Sequence, residues 1–165
     1  MEGNAMKTIK AEKLTREAFW EFGTYVNITE PEGNSLGDFF NDKGLFPVSG
    51  DMPVAFSPLL LHGADEMVVT MAEYHNTTGE GIIAMDDDIV IHVAPPTGAP
   101  VPGSTRAFIV PKGTMVILKT GVWHFGGFPL HKDAGHVLIV LPERIYKTDC
   151  CVVEYAKENH IKIEL

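Results

Sequence analysis

The sequence has few cysteines and no long apolar run, and each shortage excludes a class of protein. Its only two cysteines are Cys150 and Cys151, and adjacent cysteines close a strained ring that seldom serves as a structural disulfide. No apolar run reaches the roughly 20 residues that a membrane-spanning helix needs. The N-terminal residues also lack the basic region and apolar stretch of a secretory signal. These absences predict a protein of the reducing cytoplasm that does not enter a membrane.

Basic residues are also in short supply. Lysine and arginine total 13 against 22 aspartates and glutamates, and the formal net charge is −9. Nucleic acids and anionic membranes bind basic surfaces, so neither is the predicted partner, and a small molecule is expected instead. The length of 165 residues predicts a single domain, 1–165, with a substantial core.

From residue 54 onward the pattern predicts strands. Short apolar and β-branched runs alternate with turn residues, and many short strands at such spacing predict an all-β sandwich or barrel. Before them, 14–23 predicts a short helix, with Thr15 as the N-cap and Gly23 as the stop. The candidate strands are 25–28, 54–61, 66–75, 81–85, 89–93, 107–110, 115–118, 122–125 and 136–141.

Two segments lack such a clear pattern. Residues 30–51 are rich in Gly, Asn, Asp and Pro and predict a long irregular connection. A connection of that length in a compact domain is typical of a lid or a dimer contact. The last segment, 151–165, begins like a strand and is predicted to end as a polar tail.

The first chemical cluster lies at the end of a predicted strand. Residues two apart on a strand share a face, so Glu73 and His75 point the same way. After the turn at 76–79, Glu80 opens the next strand and is placed to face the same space. Without this spacing, a Glu-x-His pair on a strand is an ordinary surface feature.

The second cluster lies in 106–129, which predicts strand, turn, strand, tight turn and strand. The turn at Lys119-Thr120-Gly121 leads into Val122-Trp123-His124. A histidine delivered to the mouth of a small barrel is suited to bind a metal or carry a proton. The alternative is a histidine that only packs beside Trp123.

Together the two clusters resemble the paired motifs of the cupin superfamily. The first is matched by Glu73-x-His75-x4-Glu80, with Glu73 in place of the usual first histidine. The second is matched by Gly113, Lys119, Gly121 and His124, with Lys119 in place of the usual proline. The resemblance implies a double-stranded β-helix, the jelly-roll barrel of cupins. It also implies a divalent metal held by Glu73, His75, Glu80 and His124, and such a mixed set of imidazoles and carboxylates suits Ni, Zn, Mn or Fe.

A narrower resemblance, to the ureidoglycolate lyases, extends along most of the chain. It is carried by the opening at 14–26, by Asp38-Phe39-Phe40, by Glu73-Tyr74-His75, by Thr105-Arg106-Ala107-Phe108-Ile109 and by Val122-Trp123-His124. These cupin-like enzymes of allantoin degradation, a part of purine metabolism, cleave ureidoglycolate to glyoxylate and urea and are typically dimeric. The resemblance therefore implies a homodimeric carbon–nitrogen lyase. The family usually has an arginine in the strand before Glu-x-His, where this chain has Ala55-Phe56-Ser57-Pro58-Leu59.

The resemblance and the positions of the charged residues together suggest roles for individual side chains. Glu73, Lys119 and His124 are the expected catalytic residues. Arg106 and Lys119 are expected to hold the substrate carboxylate, and a guanidinium such as that of Arg106 pairs well with a carboxylate. Trp123 is expected to contact the substrate. The alternatives are a surface salt bridge for Arg106 and an ordinary turn lysine for Lys119.

Two other functions fit the same motifs. One is another metal-dependent cupin reaction, an isomerisation or an oxygenation, on a small sugar acid or hydroxy acid. The other is a cupin that binds a small molecule without catalysis. A lyase needs no O2 or redox cofactor, an oxygenase needs iron and O2, and a binding protein shows no turnover.

Overall fold

The computed structural model describes residues 6–48 and 50–165, and strands dominate it. In the described ranges the α-helices and β-strands are β1 (Lys7–Lys13), α1 (Arg16–Phe19), β2 (Gly23–Asn27), β3 (Val54–His62), β4 (Met67–Val69), β5 (Met71–Tyr74), β6 (Glu80–Ala84), β7 (Ile89–Ala94), β8 (Arg106–Val110), β9 (Thr114–Leu118), β10 (Trp123–Pro129), β11 (Ala134–Pro142), α2 (Ile145–Thr148), β12 (Cys151–Glu154) and β13 (Ile161–Glu164). An eight-stranded sheet has the order β12-β5-β10-β7-β8-β1-β13-β4, and a five-stranded sheet has the order β2-β9-β6-β11-β3.

The two sheets curl around a shared apolar core, which confirms the all-β prediction and the cupin-type jelly-roll barrel. Ile89, Ile91 and Val93 of β7 join this core, and Ile82 and Val116 reach it from the other sheet. The alternate residues of β7, among them Val90 and Ala94, belong to a second apolar cluster. Because β7 is covered on both faces, all six of its residues are buried, as expected of a central strand.

The N-terminal helix is shorter than the sequence predicts. Thr15 is its N-cap, as predicted, and its side chain accepts a hydrogen bond from the Ala18 N–H. Phe19 and Phe22 are fully buried beside Phe108. Gly23 starts β2 directly, and a Cβ on it would lie 2.0 Å from the Ile117 carbonyl oxygen. Glycine at this position therefore permits the close approach of β2 to β9.

One predicted strand, 66–75, is two strands in the structure. Thr70 separates β4 from β5, and the two pieces pair with different neighbours. β4 pairs with β13, whereas β5 pairs with β10 and β12. The short helix α2 has no counterpart in the sequence prediction.

The prediction that the C-terminal segment ends as a polar tail is wrong. Residues 161–164 form β13, which pairs in parallel with β1 and antiparallel with β4. Ile161 and Ile163 are buried in the second apolar cluster, while Lys162 and Glu164 alternate with them. The Ile-Lys-Ile-Glu alternation is the period-two pattern of a half-buried strand. The prediction of a polar tail gave too much weight to the two charged residues.

The connection predicted over 30–51 is irregular in the part that the structure describes, apart from an isolated bridge between Leu36 and Phe39. Several large apolar side chains there are exposed, including Leu36, Phe39 and Leu45. In the described ranges, no helix has the length and apolar character needed to cross a membrane.

Candidate active site

Three of the four predicted metal ligands meet inside the barrel. The Nε2 atom of His75 lies 2.8 Å from Oε2 of Glu80, and Nε2 of His124 lies 3.1 Å from the same oxygen. The ligand atoms of all three residues lie within 4.8 Å of one another. Each of the three residues is at most 5% exposed. We call these three residues the His–Glu–His cluster.

The strands bring the cluster together from distant parts of the chain. His75 follows β5, Glu80 begins β6, and His124 is the second residue of β10. Gly121 fixes the approach to β10, because its backbone has φ +81°, which favours glycine, and its N–H donates to the His75 carbonyl oxygen at 2.9 Å. Trp123 precedes His124 and therefore points to the opposite face of β10.

Asp149 holds the segment that follows His75. Its carboxylate accepts hydrogen bonds from the backbone N–H groups of Asn76 and Thr77, each at 2.8 Å, and from the Thr77 hydroxyl at 2.6 Å. These bonds lower the pKa of Asp149 below its usual value, against the opposing effect of burial. The sequence does not reveal Asp149 as a site residue, because it lies 74 residues from His75.

Hydrogen bonds to backbone carbonyls fix the tautomer of both histidines. Nδ1 of His75 lies 2.7 Å from the Asp149 carbonyl oxygen, and Nδ1 of His124 lies 2.8 Å from the Val122 carbonyl oxygen. A carbonyl oxygen only accepts, so both Nδ1 atoms carry a hydrogen. In a neutral ring the Nε2 lone pair would then face the Glu80 carboxylate. With Glu80 ionised, each Nε2–Oε2 contact therefore needs a positive charge, supplied by a proton on the ring or by a metal ion.

The electrostatics of the cluster agree with this requirement. Burial alone disfavours the charged form of every member, yet the Glu80 carboxylate outweighs it and raises the pKa of His124 to about 8. The pKa of His75 is likewise raised, against burial, by its hydrogen bonds to Glu80 and Asp149. Despite its own burial, Glu80 has its pKa lowered to about 2, chiefly by His124.

Glu73, the fourth predicted ligand, lies beside the cluster and is not one of its members. It is the direct cross-strand partner of His124, so the two side chains share a face. The Cys150 thiol donates a hydrogen bond to Glu73 Oε2 at 2.9 Å. Burial, reinforced by Glu73, raises the pKa of Cys150 to about 12, so this thiol remains protonated and serves as a donor.

A cavity of about 250 Å³ opens onto Glu73, His75 and Glu80. It is bordered by the edge strand β3 and by the start of α2. Its wall is mainly apolar, with a few polar and charged side chains, which is typical of a small-molecule site. The other lining residues are Ala55, Ser57, Pro58, Leu59, Gly126, Ile139, Leu141, Pro142, Arg144, Tyr146 and Cys150.

The structure does not bring Arg106 to this cavity. Its guanidinium forms a two-pronged ion pair with Glu12, with N–O distances of 2.8 and 2.6 Å, and also donates to the Ala18 carbonyl oxygen. It lies over the Phe108 ring, 5.0 Å from the centroid. The partner is 94 residues away in the sequence, so the sequence did not reveal this pairing.

Lys119 and Trp123 also lie outside the cavity wall. Lys119 donates to the Trp20 carbonyl oxygen at 2.6 Å, and its ammonium lies 4.3 Å from the centre of the Trp20 ring. Trp123 is buried in the second apolar cluster against Tyr74, and its indole N–H donates to the Thr97 carbonyl oxygen. The cluster therefore unites His75, Glu80 and His124, with Glu73 beside it.

Comparison with known proteins gives a consistent set of relatives. The family model described as "Ureidoglycolate lyase" matches residues 48–164. A ureidoglycolate lyase of Pseudomonas paraeruginosa is 30% identical over 131 residues, which cover 72% of this chain and 75% of that protein. A ureidoglycolate lyase of Pseudomonas fluorescens is 26% identical over 164 residues, covering 93% and 95%. A putative ureidoglycolate lyase of Agrobacterium fabrum is 28% identical over 129 residues, covering 76% and 77%.

Proposed function

Because the chain belongs to the ureidoglycolate lyase family, we propose that it cleaves ureidoglycolate into glyoxylate and urea, with residues 1–165 acting as one domain. The observation that carries this proposal is the His–Glu–His cluster, buried beside Glu73 and reached through His75 and Glu80 by a cavity of small-molecule size. Family membership indicates the reaction, and the cluster supplies groups that suit it.

The reaction requires one proton to move and one bond to break. Ureidoglycolate carries a hydroxyl, a carboxylate and a urea nitrogen on a single carbon. The hydroxyl loses its proton, the oxygen forms the carbonyl of glyoxylate, and the carbon–nitrogen bond breaks. The departing nitrogen gains a proton to give urea, so the reaction needs no oxidant or reductant.

The donor set of the cluster fits a divalent metal ion. His75, Glu80 and His124 each offer one ligand atom, and these atoms lie within 4.8 Å of one another. Both imidazoles are held by Nδ1–H bonds to carbonyl oxygens, as is usual for metal-binding histidines. Two imidazoles and one carboxylate suit Ni, Zn, Mn or Fe. A metal held by these three residues would lower the pKa of a hydroxyl that it contacted.

Glu73 is the proposed general base. It faces the cavity next to His124 and lies outside the set of ligand atoms. Its carboxylate accepts the hydroxyl proton and returns a proton to the departing nitrogen. The protonated thiol of Cys150 holds Oε2 of Glu73 in place and leaves lone pairs on the carboxylate for the substrate.

We also propose a cytoplasmic homodimer. Both cysteines are free thiols, which suits a reducing compartment. β3 is an edge strand with exposed Phe56 and Leu60, and such an edge favours self-association. The acidic net charge of −9 favours a small-molecule substrate over a nucleic acid or an anionic membrane.

The test is turnover of ureidoglycolate by the purified protein. Equal amounts of urea and glyoxylate are expected, with and without O2 and with no redox cofactor. His124→Ala should abolish the reaction, while the control His131→Ala, at an exposed histidine, should retain it. Product formation that requires iron and O2 would indicate an oxygenase. A ligand-dependent rise in melting temperature without products would indicate a binding protein.

A further inference from the structure

The cavity wall offers little free positive charge to an acidic substrate, because the positive charge of the His–Glu–His cluster is shared with Glu80. Two carboxylates, Glu73 and Glu80, line it, and ureidoglycolate is itself an anion. The cations that the sequence suggested for this purpose are engaged elsewhere, Arg106 by Glu12 and Lys119 by the Trp20 carbonyl oxygen. The substrate carboxylate therefore needs another partner.

Arg144 is placed to be that partner. Among the residues that the structure describes, it is the one lysine or arginine that lines the cavity. It follows β11 by two residues, and its side chain is exposed at the rim of the cavity. In the described ranges no hydrogen bond or ion pair engages its guanidinium, which leaves it able to donate two parallel N–H bonds to a carboxylate.

The backbone holds Arg144 in an unusual conformation. Its φ is +65°, in the left-handed region that few residues other than glycine adopt. The N–H groups of Lys147 and Thr148 donate to its carbonyl oxygen at 2.9 and 3.0 Å, and the preceding Glu143 N–H donates to the Pro53 carbonyl oxygen at 2.8 Å. Strain that is held in place by such bonds is a common feature of functional sites.

We propose that Arg144 binds the carboxylate of the substrate and so selects for 2-hydroxy and 2-oxo acids over their neutral analogues. This proposal rests on the proposed lyase function, because it assigns a role in binding the same substrate. Arg144 orients the anion at the rim, so that the hydroxyl-bearing carbon points inward to Glu73 and the His–Glu–His cluster.

The variants are Arg144→Asn, which removes the charge and suits a left-handed backbone, and Arg144→Lys, which keeps the charge but loses the two-pronged donor. Lys147→Gln is the matched control, because it removes a positive charge from α2 at a residue that is not part of the cavity wall. Equal melting temperatures would show that all three variants fold.

Two measurements test the proposal. In the lyase assay, Arg144→Asn should raise the KM for ureidoglycolate about 10- to 100-fold, as expected for the loss of hydrogen bonds to a charged group. Arg144→Lys should have a smaller effect, and Lys147→Gln should stay within twofold of the wild type. In calorimetry, Arg144→Asn should weaken the binding of glycolate but not of glycolamide, its neutral analogue.

The two assays separate failure of this inference from failure of the proposed function. If the wild type cleaves ureidoglycolate and Arg144→Asn keeps its KM and its preference for glycolate, the inference is wrong. If the wild type shows no cleavage but prefers glycolate in an Arg144-dependent manner, the lyase function fails and the anion site stands. Equal binding of glycolate and glycolamide by the wild type would overturn the anion site directly.

Discussion

His124 on β10 lies directly opposite Glu73 on β5, and the two residues form a cross-strand pair. The pairing puts both side chains on the same face of the sheet, yet only His124 reaches Glu80. Glu73 instead accepts a hydrogen bond from Cys150. The two paired residues therefore have different roles: His124 belongs to the His–Glu–His cluster, whereas the carboxylate of Glu73 is free to accept a proton.

This separation predicts that Glu73→Gln impairs catalysis but not metal binding. Glutamine preserves the shape and the hydrogen bond from Cys150, but it cannot take up a proton. Since a general base typically contributes 10²- to 10⁴-fold to the rate, kcat should fall about 100-fold or more. Steady-state kinetics and elemental analysis of the same preparation check this. Loss of bound metal would instead make Glu73 a ligand, and an unchanged kcat would show that Glu73 is not the general base.

The buried His92 should make the folded protein less stable in acid. It is buried on β7, and burial together with the charge of His124 lowers its pKa to about 3. The imidazole stays neutral in the folded protein, but it takes up a proton near pH 6.5 in the unfolded chain. Above pH 6.5 neither state is protonated, and the free energy of unfolding carries no penalty from His92. As the pH falls from 6.5 towards 3, proton uptake favours the unfolded chain, and by pH 5 it lowers the free energy of unfolding by about 2 kcal/mol.

Replacement of His92 isolates that contribution. The His92→Asn variant cannot gain a proton, so its free energy of unfolding should fall less than that of the wild type between pH 7.5 and pH 5. Urea denaturation at both pH values measures the difference, and the other titrating groups cancel between the two proteins. Parallel pH dependence in the two proteins would show that His92 titrates normally.

The C-terminal strand predicts a strong dependence of stability on its isoleucines. Ile163 is 2% exposed and packs in the second apolar cluster, so Ile163→Ala should cost about 2–5 kcal/mol. Glu164→Ala, at the exposed neighbouring residue, should change the free energy of unfolding by less than about 0.5 kcal/mol. Equal effects of the two substitutions in urea denaturation would mean that this strand does not pack in solution.

The sequence predicts the parts of this molecule that depend on local pattern. Most of the strands from residue 54 onward follow from apolar runs between turns, and the approach of His75 to Glu80 follows from a short turn between strands. The hydrogen-bond partners of Arg106 and Glu73 could not be predicted in this way, because Glu12 and Cys150 lie 94 and 77 residues away in the sequence. Only the folded chain shows which charges are already paired, and within the described residues it leaves Arg144 as an unpaired cation in the cavity wall.

In the proposed function, a bound metal ion supplies the positive charge that the contacts between the two imidazoles and Glu80 require. The most direct test is the metal content of protein purified without chelator, compared between the wild type and His124→Ala. We predict close to one Ni, Zn, Mn or Fe ion per chain in the wild type and its loss in the variant. Absence of metal from both, with an unchanged melting temperature on adding Zn, Ni or Mn to the wild type, would contradict the claim and leave protons as the charge that holds the cluster together.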